Sequence, residues 1–219
     1  MVTIIVNTDY LGINIFFELL FVVATLLIGF HSNKIYKLTR TKKYFLFSSA
    51  FWLISIAYIV KLITNVLIYF TVIGSSSDLV KATYISGLVE YGTIFHMLFM
   101  VAAYIMLIGL SFKIDNFKIL SMLFLMSFLS ILFSSNANLI FYLVLSLFLI
   151  YLTLSFYNNY NEKKTPSSLL VFLGFFMILL GQISFIFAPY FTIAYFLGHL
   201  GELAGYSFLF INLVRISRK

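Results

Sequence analysis

Seven long apolar runs constrain this chain more than any other feature of its sequence. Each is close to the ~20 residues that an α-helix needs to cross about 30 Å of hydrocarbon. The runs cover residues 11–31, 44–72, 83–112, 119–134, 139–157, 168–188 and 191–214, of which the fourth is the shortest. The sequence therefore predicts an all-α polytopic membrane protein, a seven-helix transmembrane bundle in which residues 1–219 form a single domain.

Composition supports a membrane protein and excludes several kinds of site. The chain is 63% hydrophobic and 10% charged, whereas soluble domains are about 45–50% apolar and about 25% charged. It contains no cysteine, which rules out disulfides, zinc–thiolate sites and iron–sulfur clusters. The net charge of +7 does not indicate nucleic acid, because the basic residues lie in short loops between apolar runs. The expected partner is the lipid bilayer, and the expected location is the cell membrane, crossed several times.

The basic residues also predict the orientation in the membrane. The loops after the first, third and fifth runs, together with the C-terminal tail, carry 12 of the 14 Lys and Arg residues. The opposite side carries Lys81, and Lys61 lies within the second run. Cytoplasmic loops are enriched in Lys and Arg. We therefore expect the N-terminus outside the cell and the C-terminus in the cytoplasm.

The two ends of the chain share a sequence pattern. The third run ends in Ala102-Ala-Tyr104 and reaches Lys113, and the seventh ends in Ala204-Gly-Tyr206 and reaches Arg215. The second and sixth runs each follow a Lys-Lys pair. When the two runs are aligned on these pairs, Lys61 corresponds to Gln182. This pattern favours two parallel three-helix repeats, residues 11–113 and 139–219, joined by the fourth run. Parallel repeats are one way to build a site between two halves; chance similarity between apolar helices is the alternative.

A 3+1+3 arrangement with an outside N-terminus resembles the broad superfamily that includes sugar and PQ-loop transporters and the rhodopsins. The resemblance is one of topology, because the chain has no Pro-Gln loop and its seventh run has no lysine for a retinal Schiff base. Three phrases resemble a loosely defined set of uncharacterised archaeal seven-span membrane proteins: Lys34-Ile-Tyr-Lys-Leu-Thr, Phe47-Ser-Ser-Ala-Phe-Trp-Leu and Gly198-His-Leu-Gly-Glu-Leu-Ala-Gly-Tyr206. That resemblance implies a seven-span fold over most of the chain and carries no activity and no site residues.

Polar side chains from five of the runs lie at a similar depth. Counted inward from the outer end of each run at 1.5 Å per residue, they lie roughly 9–17 Å below the outer boundary, with His96 deeper, near the midplane. Side chains of this kind are costly in lipid, so they face the bundle interior or a wet cavity. They predict a polar site in the outer half of the bundle, formed by Glu18, Lys61, Glu90, Gln182, His199 and Glu202.

Three interpretations of this layer are open. One is a structural network of hydrogen bonds between helices. Another is a site for zinc, iron or manganese, since these metals accept imidazole and carboxylate ligands and a Glu/His pair three residues apart occurs in carboxylate-bridged helix bundles. Its ligands would be Glu18, Glu90, His199 and Glu202, with His96 as a further possibility. The third is a pocket for an organic ligand, lined by Lys61, Asn65, Glu90, Gln182, Tyr195 and Tyr206.

These observations favour a membrane module of sensor or receptor type that binds a ligand or a metal ion. Such a module would pass its signal to a separate membrane or cytoplasmic protein through the basic cytoplasmic face. One alternative is a small transporter or a proton or metal pathway, although charges are scarce in the inner half of the runs. Another is an intramembrane metal-dependent enzyme acting on a lipid, with Glu202 or Glu90 as the base. The last is a subunit that stabilises a larger complex.

Overall fold

The computed structural model describes residues 11–73, 79–114 and 116–217, and these residues form an all-helical bundle as predicted. Residues 74–78, between the second and third apolar runs, lie outside the described residues. Six of the helices are long and apolar enough to cross a membrane, whereas α4 has 16 residues. The helices of the described ranges are α1 Leu11–Thr39, α2 Lys42–Ile73, α3 Leu79–Phe112, α4 Phe117–Leu132, α5 Ala137–Lys163, α6 Pro166–Phe187 and α7 Thr192–Ser217.

The first and last helices run in the same direction. Phe17 on α1 stacks on His199 of α7 with ring centroids 4.7 Å apart. Further along both helices, His31 meets Phe210 edge-on at 5.2 Å. Because both contacts advance together along the two sequences, α1 and α7 are parallel neighbours, which closes the bundle between its two ends.

Two contacts between α3 and α5 show that these helices are parallel, and this defines the course of the short helix α4. His96 on α3 packs against Phe141 of α5 at 5.8 Å, and Ser111 Oγ on α3 donates to Ser155 Oγ on α5 at 2.5 Å. Since α3 and α5 run in the same direction, the chain must return between them. At 1.5 Å per residue α4 is about 24 Å long, and it carries the chain back from the end of α3 to the start of α5.

Six helices form a closed ring, and α4 lies outside it. Around the ring α1 contacts α2, α2 contacts α3, α3 contacts α5, α5 contacts α6, α6 contacts α7 and α7 contacts α1. The remaining helix, α4, packs against α3 and α5 and exposes the large apolar side chains Met122, Leu125 and Met126. The predicted repeats correspond to α1–α3 and α5–α7, two three-helix halves that meet at α3–α5 and α7–α1. The duplication itself stays a prediction.

Basic residues end three of the parallel helices in the left-handed conformation. Arg40 follows α1, Lys113 follows α3 and Lys164 follows α5, with φ values of 54°, 55° and 48°. The negative end of a helix dipole favours a nearby cation. Contacts along α2 show that it is antiparallel to both α1 and α3, so all the odd-numbered helices run in the same direction. These cations therefore gather at one end of the ring, which is the end that the charge distribution predicts to be cytoplasmic.

Helices α6 and α7 approach each other at glycines, as the spacing of Gly198, Gly201 and Gly205 indicates. A Cβ atom added at Gly201 would lie 3.0 Å from the carbonyl oxygen of Met177 and 3.1 Å from the Cα atom of Gly181. Few real Cβ atoms have neighbours this close, so the two backbones are in contact. This seam fixes α6 against α7 and holds the side chains on their inner faces close together.

The course of α4 and the predicted orientation are tested together with two single cysteines in this cysteine-free chain. Ser135 lies between α4 and α5, and Asn161 is exposed near the end of α5. We expect a membrane-impermeant maleimide to label Ser135→Cys in intact cells and Asn161→Cys only after permeabilisation, because α5 separates the two sites. The reverse pattern would show the opposite orientation, and labelling of both from the same side would show that α5 does not cross.

Candidate functional site

A cavity of about 80 Å³ lies inside the ring. It is near the end opposite Arg40, Lys113 and Lys164, the three basic residues that follow α1, α3 and α5. A water molecule needs about 10–15 Å³ of such volume, so the cavity has room for several waters or one small molecule. Each of the six ring helices contributes to its wall. The lining residues are Asn14, Glu18, Phe21, Tyr58, Lys61, His96, Met100, Phe141, Tyr142, Gln182, Phe185, Tyr195, His199 and Glu202.

Glu202 of α7 connects three helices within this wall. Its Oε2 atom accepts a hydrogen bond from the Tyr58 hydroxyl of α2 at 3.2 Å. Its Oε1 atom accepts one from Gln182 Nε2 of α6. The Tyr58 and Tyr206 hydroxyls are 3.1 Å apart, which extends the network one turn deeper. Both oxygens of this buried carboxyl group therefore have protein partners, and the group positions other side chains.

Glu18 of α1 is only half satisfied. Its Oε1 atom accepts a hydrogen bond from Asn65 Nδ2 of α2 at 2.6 Å. Its Oε2 atom is buried and has no hydrogen-bond partner among the described residues. The side chain is 2% exposed, so bulk water does not supply the missing bond. One oxygen of Glu18 is thus available to whatever occupies the cavity.

Lys61 brings a cation to the same space. Its ammonium group is within electrostatic range of the Glu18 and Glu202 carboxyl groups and of the Tyr142 hydroxyl. No described residue pairs with it at the 4.0 Å limit of an ion pair. Attraction across the cavity offsets part of the cost of burying these charges, and the donors of the ammonium group remain available for a ligand.

The two histidines differ in their hydrogen bonding. His96 Nδ1 lies 3.1 Å from the carbonyl oxygen of Ala57; because a carbonyl oxygen only accepts, this nitrogen carries the proton. His199 is held by its ring faces and edges, stacked on Phe17 and edge-on to Tyr195. Neither of its ring nitrogens has a hydrogen-bond partner in the described part of the chain. His199 is therefore positioned by packing, with both nitrogens available.

The structure brings most of the sequence-predicted residues together. Asn65 and Tyr206 lie behind the cavity wall, bonded to Glu18 and Tyr58 respectively. Seven predicted residues line the cavity itself, namely Glu18, Lys61, His96, Gln182, Tyr195, His199 and Glu202.

Glu90 is placed elsewhere. It is exposed on α3 and is not among the lining residues of the cavity. The reason is the packing of α3 on α2, where Gly92 faces the side chain of Thr64. A residue two positions earlier projects from nearly the opposite side of the helix, so Glu90 points away from α2.

The metal-site hypothesis stays a prediction. Across residues 11–73, 79–114 and 116–217, no group of three or more histidine and acidic residues is arranged to hold a metal ion. The proposed ligand Glu90 lies apart from the others. Both oxygens of Glu202 accept hydrogen bonds from protein groups, so neither is a bare ligand in this arrangement.

Sequence reasoning missed several members of the wall, above all Tyr142 and the aromatic residues Phe21, Phe141 and Phe185. Tyr142 is one of 15 tyrosines in the chain, and nothing in its neighbourhood separates it from the others. Asn14 was predictable, because it lies one turn before Glu18 and shares its face, and the structure places both residues in the cavity wall.

The chain matches no family model, no curated protein and no solved structure. The chemistry of the cavity is therefore argued from its own residues.

Proposed function

We propose that this integral membrane protein binds a small polar ligand in the cavity, as a binding module of sensor or receptor type. The observation that supports this is a set of buried polar atoms without hydrogen-bond partners among the described residues, all on residues of the cavity wall: Glu18 Oε2, Gln182 Oε1 and both ring nitrogens of His199. An unsatisfied buried polar atom costs about 1–3 kcal/mol. A ligand or ordered water in the cavity would supply the missing bonds.

The packing on the cytoplasmic side of the cavity favours binding over conduction. Phe51, Tyr104, Tyr206 and Leu209 are each at most 1% exposed and belong to one apolar core. They fill the interior of the ring between the cavity and the end that carries Arg40, Lys113 and Lys164. Packed side chains thus close the cavity on that side. Asn14 and Tyr195, near the opposite end of the ring, are only partly buried. A site reached from the outer side and closed toward the cytoplasm suits a receptor.

The hydrogen bonds around Glu202 suggest how occupancy would be transmitted. Gln182 is a residue of the cavity wall; it donates to Glu202, and its carbonyl oxygen has no hydrogen-bond partner among the described residues. A ligand bound to that oxygen acts on a network that joins α2, α6 and α7. Since a ligand shifts a protein toward the arrangement that it binds more tightly, binding here would change the packing of these helices and reach the cytoplasmic ends.

Accessibility of single cysteines tests the proposal, and the natural chain has no cysteine to interfere. Tyr195→Cys places a thiol in the cavity wall. Leu197→Cys is the matched control, because Leu197 lies two residues away on the same helix and is 54% exposed on the outer surface of the bundle. We expect a small hydrophilic thiosulfonate added from outside to label Tyr195→Cys at least ~10-fold faster, since the reaction needs a thiolate and water.

Either of two results would contradict this function. Equal labelling of the two thiols would mean that the cavity is no wetter than the lipid-facing surface. Absence of labelling at Tyr195→Cys, in protein that is folded by its melting curve, would mean that solutes do not reach the site from outside.

A further inference from the structure

The free polar atoms of the cavity are of two opposite kinds. Glu18 Oε2 and Gln182 Oε1 are acceptors without partners among the described residues. The ammonium group of Lys61 is a cationic donor on the same wall. We propose that the ligand is a small zwitterion of the amino-acid type, which carries both an ammonium and a carboxylate group. This inference rests on the proposed function and names the chemical class that the site recognises.

The acceptors fit the ammonium group of such a ligand. Glu18 belongs to α1 and Gln182 to α6, which are not neighbours in the ring, so a group between them is held by two separate helices. The amide of Gln182 is oriented by its own hydrogen bond, because Nε2 donates to Glu202 and this leaves Oε1 as the free end. A carboxylate oxygen and an amide oxygen together match a donor that carries a positive charge and several hydrogens.

The donors fit the carboxylate group. Lys61 supplies a full positive charge, and a neutral His199 supplies one N–H from its ring. The ring of His199 is fixed between Phe17, Tyr195 and Phe185, so it offers that N–H without reorganisation. A carboxylate is the anionic partner that a lysine and a histidine bind most readily in a small site.

Charge balance selects the zwitterion over an ion of either sign. A simple cation would satisfy Glu18 while lying close to Lys61. A simple anion would satisfy Lys61 while lying close to Glu18 and Glu202. Like charges repel strongly in a poorly solvated interior, and an unpaired buried charge is costly. A zwitterion pairs the charges of Glu18 and Lys61, leaves Glu202 with its two protein donors and adds no net charge to the cavity.

The size and walls of the cavity limit the remainder of the ligand. A volume of about 80 Å³ holds a molecule of only a few heavy atoms. The rings of Phe21, Phe141 and Phe185 form the apolar part of the wall. These features fit an amino acid with a small apolar side chain, of which alanine is the convenient probe.

Equilibrium binding of labelled L-alanine to the purified protein tests this inference. Ethylamine is alanine without its carboxylate, and propionate is alanine without its amino group, so they are matched competitors. We expect each to bind at least ~10-fold more weakly than alanine, because each forfeits one charge-assisted contact. Protection of Tyr195→Cys from the thiosulfonate should rank the three compounds in the same order.

Two variants assign the two ends of the ligand. Lys61→Met should abolish the preference for alanine over ethylamine, and Glu18→Gln should abolish the preference for alanine over propionate. A general structural defect would weaken all three compounds in proportion and leave their ratios unchanged. Glu90→Gln is the control, because Glu90 is exposed on α3 and should leave both affinities and ratios as they are.

The inference fails if ethylamine or propionate binds as tightly as alanine, since the site would then recognise a single charge. It also fails if none of the three binds. If Tyr195→Cys still labels and none of the compounds protects it, the class of ligand is wrong and the binding function stands. If Tyr195→Cys does not label at all, the binding function itself is refuted.

Discussion

Substitution of Gly205 by alanine is expected to lower the free energy of unfolding by about 1–3 kcal/mol, the usual cost of overpacking a tight interior. A Cβ atom at this position would collide with Ile178 Cγ1 and would lie 2.6 Å from the carbonyl oxygen of Gly174 and 3.0 Å from the backbone nitrogen of Ile178. Two of these three atoms belong to the backbone of α6, so no change of rotamer removes the clash. The two helices must separate, which opens the seam beside the cavity.

Gly29→Ala is the matched control. Gly29 is also a buried glycine within a helix, but the nearest atoms to its added Cβ belong to Trp52, at 3.5 Å, an ordinary contact distance. Alanine is a better helix former than glycine by up to about 1 kcal/mol, so this variant should be as stable as the natural protein or more so. Reversible unfolding in mixed micelles measures both, and equal losses in the two variants would contradict the close α6–α7 packing.

Removal of the Glu202 side chain should be at least as damaging. In Glu202→Ala the Tyr58 hydroxyl and Gln182 Nε2 lose their acceptor, and Lys61 loses one of its two neighbouring carboxylates. Unsatisfied buried donors cost about 1–3 kcal/mol each, and leaving a buried charge without its partner is a further penalty. We expect a loss of about 3 kcal/mol in the free energy of unfolding, measured in the same micelles.

Two controls separate this effect from a general sensitivity to lost carboxylates. Glu202→Gln keeps the length of the side chain and one acceptor oxygen, so it should lose clearly less than the alanine variant. Glu90→Ala removes an exposed carboxylate from α3 and should change stability by no more than about 0.5 kcal/mol. A loss at Glu90 as large as that at Glu202 would mean that the network around Glu202 contributes nothing special.

The sequence was sufficient for the helices and insufficient for their arrangement. Apolar runs of near-spanning length are a local signal, so the seven helices could be predicted, and the fourth run was recognised as short. The ring could not be predicted, because it depends on which helices touch sideways. That choice is made by pairs far apart in sequence, such as Phe17 with His199 on α1 and α7.

The polar residues of the site could be predicted because charged and amide side chains are rare within the apolar runs of this chain. Glu18, Lys61, Gln182 and Glu202 stand out because few charged or amide residues occur within the runs, and depth alone brought them to one level. Depth does not fix the direction of a side chain around its helix. Glu90 has a suitable depth, yet the packing of Gly92 on Thr64 turns it outward. Tyr142 carries no signal of its own and lines the cavity through the packing of α5.

The central claim is that polar side chains of helices that are not neighbours in the ring meet in one cavity. Tyr58 on α2 and Glu202 on α7 make such a contact, at 3.2 Å. A double-mutant cycle of Tyr58→Phe and Glu202→Gln measures it directly. We expect a coupling free energy of about 1–2 kcal/mol, within the range for side chains in contact. Additivity of the two substitutions within about 0.3 kcal/mol would contradict the claim, because it would mean that the two side chains do not meet.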